Sequence, residues 1–334
     1  MNMIKWRQDI INRPDRVAIP VMTHPGIEQL GYTVRQAVEN GDIHAEAVKW
    51  LAERYPSHAA SVIMDLTVEA EAFGADVLFP EDEIPTVTGH MLNNSDDIRH
   101  LKVPSLNSGR IREYLKANTI LHRDITDRPV FAGCIGPFSL AGRLYDMSEI
   151  MILIYSDPEA AHTLLEKCSL FILRYIAALK ATGIQGVLMA EPAAGLMSND
   201  DCWTFSSQYV KRIIDQLQDE EFMIVLHNCG NTGHCTDAMV RTGAHALHLG
   251  NKCSLAEVAK ETPRDILVMG NLDPVSIFKM ASPQETYDAT AALLSETIDY
   301  PHVVISTGCD TPPHAPLDNA DAFFAAIADY NRRS

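Results

Sequence analysis

The sequence predicts an α/β fold, a (β/α)8 TIM barrel running as one domain over residues 1–334 with an N-terminal helical extension. Three observations predict it. Eight short apolar runs alternate with helical stretches, the pattern of strands joined by helical crossovers. The length of 334 residues suits one large barrel, since this fold takes ~250 residues and grows by insertion without dividing. The histidine, cysteine and acidic residues that could carry chemistry follow directly on apolar runs, at strand ends where barrel sites are built.

The first strand is expected at residues 17–22, Val-Ala-Ile-Pro-Val-Met, ending at Thr23-His24-Pro25-Gly26. Helical stretches follow at residues 45–54 and from about residue 59 to residue 73. A second short strand is expected at residues 75–79, ending at Pro80-Glu81-Asp82. Residues 83–127 are polar and irregular, with one helical piece near residues 108–118, and read as a loop insertion. The third strand is Val130-Phe131-Ala132-Gly133-Cys134-Ile135-Gly136, followed by Pro137-Phe138-Ser139.

A long helix then opens at Ser156-Asp157-Pro158-Glu159, with Ser156 as the expected N-cap and Pro158 in the first turn. Leu164, Leu165, Cys168, Phe171, Ile172, Tyr175, Ile176 and Leu179 repeat along it at helical spacing until Thr182-Gly183. Strand four is residues 186–190 and ends at Glu191-Pro192. Strand five is residues 221–226 and runs into His227-Asn228-Cys229-Gly230. Residues 246–249, 266–269 and 302–305 supply strands six, seven and eight, and Ser282-Pro283-Gln284-Glu285 opens a further capped helix.

The net charge of −17, from 27 basic and 44 acidic residues, argues against a nucleic acid or an anionic membrane as main partner, because both need clustered Lys and Arg. The first residues carry charges where a signal peptide needs an apolar core, and no run approaches the ~20 apolar residues of a membrane span. A cytoplasmic protein is expected. Seven cysteines spread over so long a chain do not form a disulfide framework, and reduced thiols are available for metal.

Strand five carries the main chemical signal. Side chains at i and i+2 of a strand point to one side, so His227 and Cys229 can reach one ion together. A third soft ligand, Cys309, follows strand eight in Ser306-Thr307-Gly308-Cys309. Three protein ligands leave one position open, as in a catalytic rather than a structural zinc site. The opposing reading is a core histidine and two buried thiols, since free cysteine is commonly buried. A local rival would close a structural site from His227, Cys229, His234 and Cys235, but Gly230-Asn231-Thr232-Gly233 reads as a turn that carries the last two away. Cys134, Cys168, Cys202 and Cys253 are assigned to packing.

Several of these segments together resemble the uroporphyrinogen decarboxylase superfamily: Leu226-His227-Asn228-Cys229-Gly230, Gly270-Asn271-Leu272-Asp273-Pro274, Gly136-Pro137-Phe138-Ser139-Leu140-Ala141 and Thr307-Gly308-Cys309. The match runs in order over nearly the whole chain. Within it the His, Cys, Cys set is similar to the methylcobamide-dependent methyltransferases, including methylcobamide:coenzyme M methyltransferases. That resemblance implies zinc on His227, Cys229 and Cys309. It also implies a methylated corrinoid carried by a partner corrinoid protein, and a small-molecule acceptor: coenzyme M, another thiol or a pterin such as tetrahydrofolate. The decarboxylase branch carries an arginine-rich stretch at its first strand that binds the acidic side chains of the tetrapyrrole. Here that place is Val21-Met22-Thr23-His24-Pro25-Gly26-Ile27-Glu28, without arginine. The alternatives are therefore porphyrinogen decarboxylation and a non-catalytic zinc-binding barrel.

Glu191 is expected either as an exchangeable fourth ligand or as a salt-bridged loop carboxylate. Asp273 is a candidate catalytic group whose other reading is a turn or cap residue. His24, Glu81 and His248, ending strands one, two and six, are expected to line the cofactor pocket. A zinc with thiolate ligands favours capture of a substrate thiol, whose pKa it lowers from ~8.5 so that a nucleophilic thiolate forms at neutral pH.

Overall fold

In a computed structural model that describes residues 1–333, the central element is a curled, all-parallel sheet. Its seven strands are β1 (Ala60–Ser61), β4 (Val130–Ile135), β5 (Gly186–Ala190), β6 (Met223–Asn228), β7 (Ala246–Leu249), β8 (Leu267–Leu272) and β9 (Val303–Thr307), hydrogen-bonded in that order. The two remaining strands, β2 (Val77–Leu78) and β3 (Thr86–Val87), pair antiparallel in a separate hairpin. Between the curled sheet's edges lies the segment 17–21. Ile19 donates to the Ile305 carbonyl and Ile305 to that of Val17, both at 3.0 Å, while His58 donates to the Ala18 carbonyl at 2.9 Å. The arrangement is a TIM-barrel-like α/β fold.

Two strand expectations are corrected. Residues 17–22 form a single bridge, Ala18 to Ile305, rather than a strand; Pro20 in their midst has no N–H to give a ladder. Residues 75–79 are not the second barrel strand, which is β1, within the stretch 59–73 that its alanines made look helical. Only Val68–Phe73 of that stretch is helix. Ala59-Ala60-Ser61-Val62-Ile63-Met64 is buried throughout, and a short apolar run buried on both faces carries no period to separate strand from helix.

Helix ends also move. The long helix spans Pro158–Ala181 with Asp157, not Ser156, as its cap, accepting from Ala160 N–H. Ser156 instead closes the preceding helix Met147–Ser156. The helix in the insertion runs Ile111–Asp124, and Ser282 with Glu285 forms the expected capping box before Pro283–Glu296.

Residues inside the barrel follow strand parity: Phe131, Leu188, Met223, Val225, Ala246, Leu267, Met269 and Val304 pack into one cluster with Val17, Ile19 and Val21. The helix Met3–Asn12 joins it from outside the sheet. Met3 and Ile10 are buried in the same cluster, and Trp6 meets Phe131 edge-on at 5.9 Å. Among the described residues no helix is long and apolar enough to cross a membrane.

Candidate metal centre

Because Met223 and Val225 face the barrel interior, His227 faces it too, at the carboxyl end of β6, and Cys229 continues the same side beyond the strand. The Asn228 side chain between them shapes the turn, its Oδ1 accepting from Gly230 and Asn231 N–H at 3.0 Å each. Gly250, after β7, lies so close that an added Cβ would stand 2.7 Å from Cα and 2.9 Å from Cβ of Cys229. Cys309 arrives from the loop after β9. The ligand atoms of His227, Cys229 and Cys309 all lie within 4.8 Å of one another, in the only such group of three among the described residues.

A chain of hydrogen bonds behind the triad fixes its histidine. The Ser306 hydroxyl donates to the Ile19 carbonyl at 2.7 Å, so its oxygen is free to accept from Nε2 of His248 at 2.9 Å. Burial pushes His248 well below the usual imidazole value, with His227 acting in the same direction, and the ring is neutral. A neutral ring donating from Nε2 has a bare Nδ1, and that atom lies 2.7 Å from Nδ1 of His227. His227 must therefore donate from Nδ1, which leaves its Nε2 lone pair bare. This Nε2 is buried and has no hydrogen-bond partner.

An orphaned imidazole nitrogen beside two sulfurs is a donor set that fits zinc. The Cys309 thiol donates toward Cys229, holding the Cys229 thiol well below the ordinary range and Cys309 above it. One sulfur of the pair is thus poised as thiolate.

The triad opens onto a cavity of about 220 Å3, walled by Met64, Leu66, Ile84, Pro85, Ala190 and Pro192, with Thr67, Asp310 and Arg143 as its other polar residues. Asp310 is buried, which pushes its pKa up against the opposing pull of His24. Its Oδ2 accepts from the Thr23 hydroxyl at 3.2 Å and from Met64 N–H at 3.4 Å. His24 donates from Nδ1 to the Thr311 carbonyl at 2.7 Å and stands 3.8 Å from Asp310 Oδ1, so it reaches the site through Asp310.

Other candidates lie elsewhere. Glu191 ends β5, but its carboxylate turns to the amino end of the helix Pro137–Tyr145. Oε1 accepts from Phe138 N–H at 2.9 Å, and Oε2 from Ser139 N–H and hydroxyl at 2.9 and 2.7 Å. Burial pushes its pKa up while these bonds to Ser139 and Phe138 pull it down. It is a strut between two crossovers, outside the ligand group. Asp273 caps the turn after β8, accepting from Val275 and Ser276 N–H at 2.8 and 3.0 Å and from Asn251 at 2.6 Å.

Glu81 does not end a barrel strand. It lies exposed in the connection between β2 and β3, 3.2 Å from Arg35, and is not among the residues that line the cavity, although Ile84 and Pro85 of the same connection are. His234 and Cys235 turn to the Met197 carbonyl, at 2.8 and 3.4 Å, and do not join His227. Cys134, Cys168 and Cys202 are buried and Cys253 is half-buried, all unpaired.

Ser306, Asp310 and Arg143 escaped the sequence reading. Adjacency to Cys309 was a signal for Asp310, and parity with Val304 one for Ser306; nothing in the pattern marked Arg143.

Fold and site define an α/β-barrel protein with a group of soft donors that could hold a metal ion, open to a cavity on one side, at the carboxyl ends of its strands. The chain belongs to the uroporphyrinogen decarboxylase (URO-D) family, whose profile matches residues 16–330. Among its relatives, the methylcobamide:CoM methyltransferase MtbA of Methanosarcina acetivorans is 28% identical over 312 residues, covering 89% of this chain and 90% of that protein. A uroporphyrinogen decarboxylase of Legionella pneumophila is 28% identical over 297 residues, covering 86% and 83%. A solved methyltransferase from Methanosarcina mazei superposes with a TM-score of 0.88 over 98% of both chains at 22% identity, which speaks for the fold.

Proposed function

We propose that the protein is a zinc-dependent methyltransferase that moves a methyl group from a methylated corrinoid, carried by a partner protein, to a thiol acceptor. The observation that carries the reading is the bare, buried Nε2 of His227 beside the sulfurs of Cys229 and Cys309. Zinc held there would act as a Lewis acid, binding the acceptor sulfur and keeping it as thiolate at neutral pH. The chain's own part is positional. His248 and Ser306 hold the His227 tautomer, Gly250 admits Cys229, and the apolar wall of Met64, Leu66, Ile84 and Pro85 keeps the acceptor's carbon chain out of water. The mouth of the barrel is where the partner's methyl group would meet the sulfur.

Relatives named as decarboxylases are as similar in identity, so that reaction is the second reading. A tetrapyrrole with eight carboxylates calls for several arginines; this cavity has Arg143 alone, and the segment after Val21 has none. No release of CO2 from uroporphyrinogen is expected.

Metal analysis of protein purified without chelator should give one zinc per chain, lost in Cys229→Ala and in Cys309→Ala. Full occupancy in either variant sinks the ligand assignment. Calorimetry of thiol binding in buffers of different ionisation enthalpy should report close to one proton released at pH 7, falling as the pH passes the free thiol's pKa. Tight thiol binding without proton release contradicts thiolate capture. Absence of any thiol binding points to a pterin acceptor.

A further inference from the structure

A second cavity, of about 390 Å3, lies at the amino end of the barrel. Val17, which opens the segment 17–21, and Val303, the first residue of β9, stand in its wall with Ile10 of the helix Met3–Asn12. Cys309 follows Val303 by six residues, or ~20 Å at strand spacing, so this cavity and the triad sit at opposite ends of the barrel. Its volume falls within the ~300–1,000 Å3 of sites that take small molecules. Ile298 stands 59% exposed in its lining, an apolar surface with nothing packed over it.

The cavity's charged residues are Arg13, Asp15 and Arg16. Arg13 and Asp15 satisfy each other: Nε and Nη2 of the arginine donate to Oδ1 and Oδ2 at 2.9 and 2.7 Å, and that pairing holds the carboxylate below its ordinary pKa. Arg16 is left without an acid. It is only 8% exposed, and its guanidinium donates to the carbonyls of Tyr300, Thr297 and Ile298 at 2.7, 2.7 and 2.8 Å, just past the helix Pro283–Glu296. These bonds leave further N–H donors of the guanidinium unused. A helix end offers only about half a unit of negative charge, so part of the arginine's charge stays uncompensated. The remainder is felt nearby: burial holds His302 below the usual imidazole value, and Arg264 and Arg16 push it the same way. A buried cation is costly unless a counter-charge reaches it, and the open space that can bring one is this cavity.

We propose that this cavity is a second ligand site, for a small carboxylic acid with an apolar body. The carboxylate meets Arg16, and the hydrocarbon part lies against Ile10, Ile298 and Val303. Charge sets the sign of the ligand: Arg13 and Asp15 cancel, which leaves Arg16 to decide it. The apolar wall sets the rest, since an inorganic anion would leave Ile10 and Ile298 unmatched. The acid bridges the helices Met3–Asn12 and Leu317–Arg333, which supply Ile10 and Tyr330 to the lining. Its binding does not depend on the metal or on the reaction proposed for the triad.

The test is calorimetric titration of the full chain with 3-phenylpropionate, the neutral 3-phenylpropionamide and inorganic phosphate. The acid should bind once per chain, about tenfold more tightly than either control, the range of a charge-assisted contact. Ile298→Asp sets a like charge beside the site and should weaken the acid about two- to fivefold, whereas Ile298→Lys should strengthen it by a similar factor. The amide should respond equally to both. This pair reads the charge without disturbing the bonds of Arg16 to the helix end, and Arg16→Gln should remove the preference for acid over amide. Cys229→Ala should bind the acid as wild type does. An acid that binds no better than the amide, or does not bind at all, overturns the inference, and phosphate that binds as tightly as the acid overturns the ligand class. Equal effects of Ile298→Asp and Ile298→Lys on the acid overturn the placing of its carboxylate. Loss of acid binding in Cys229→Ala would put the probe on the triad and refute the second site, leaving the metal-centre reading intact.

Discussion

Replacing His248 by Phe tests the tautomer chain with little change of shape. The ring is fully buried against His227, with centroids 4.7 Å apart, and Phe fills that space while removing the nitrogen that accepts from His227 Nδ1. Two costs follow. Without metal, a buried N–H loses its partner, at ~1–3 kcal/mol. With metal, nothing any longer holds the proton on Nδ1 and the lone pair on Nε2, and loss of such an outer partner weakens metal binding ~10- to 100-fold, or ~1.4–2.8 kcal/mol. Competition with a chromophoric chelator measures the second cost, and denaturant unfolding of the metal-free protein the first. Ser306→Ala lies one bond further out and is expected to act in the same direction, less strongly. A folded His248→Phe protein with unchanged zinc affinity would refute the argument that His248 sets the His227 tautomer.

Other perturbations follow from buried polar groups. Glu69 is fully buried, with Oε1 accepting from Ile135 N–H at 3.0 Å and Oε2 without a partner, and burial pushes its pKa up to about 8. The folded protein thus holds this proton more tightly than the unfolded chain, so its stabilising effect is present below the ordinary carboxyl value and is lost as pH rises through about 8. Wild type should lose stability to urea between pH 5 and pH 8, and Glu69→Gln should flatten that slope. Arg110→Met leaves Asp65 buried without its counter-charge and should lower unfolding free energy by ~3–5 kcal/mol in the same assay. Gly136→Ala would put a Cβ 2.2 Å from Cγ of Glu191. It should push that carboxylate off Ser139 and cost ~1–3 kcal/mol, read as a fall in melting temperature with zinc content retained.

Much of the barrel was legible because its later strands are buried on both faces and read as unbroken apolar runs: Val130–Ile135, Gly186–Ala190 and Met223–Asn228 stand out for this reason. The first quarter was not. Pro20 breaks the ladder without breaking the apolar run, and the alanines of the stretch after residue 58 hide a two-residue strand. The hairpin β2–β3 is short and apolar enough to pass for a barrel strand, so Glu81, expected at a barrel strand's end, stands in that hairpin's connection instead. The pairing of His227 with Cys229 needed only strand parity, whereas Cys309, two residues past β9 and of opposite parity to Val304, needed the rule that strand ends converge together with the family resemblance. The chain His227, His248, Ser306 needed more: His227 sits opposite His248 only in the observed register of β6 on β7, and register is a long-range property.

Glu191 shows where residue type and position stop being enough. A carboxylate at the end of a barrel strand has two stable uses: it can face the mouth and meet a cation, or turn sideways and accept from the free N–H groups that begin a neighbouring helix. Position in the sequence is the same for both. What decides is the neighbour's first turn. Gly136 leaves room for the side chain, Pro137 starts the helix, and Phe138 and Ser139 aim two N–H groups and a hydroxyl at the two oxygens. Gly-Pro-Phe-Ser after β4 and Glu-Pro after β5 therefore form one device that ties two crossovers together beside the cavity. Arg143 lies one turn further along the same helix as Ser139, so the strut that turns Glu191 away from the group of His227, Cys229 and Cys309 also fixes the helix that carries part of the cavity wall. The cavity wall and the three-residue group it adjoins are thus set on one frame, with Glu191 as its buried brace.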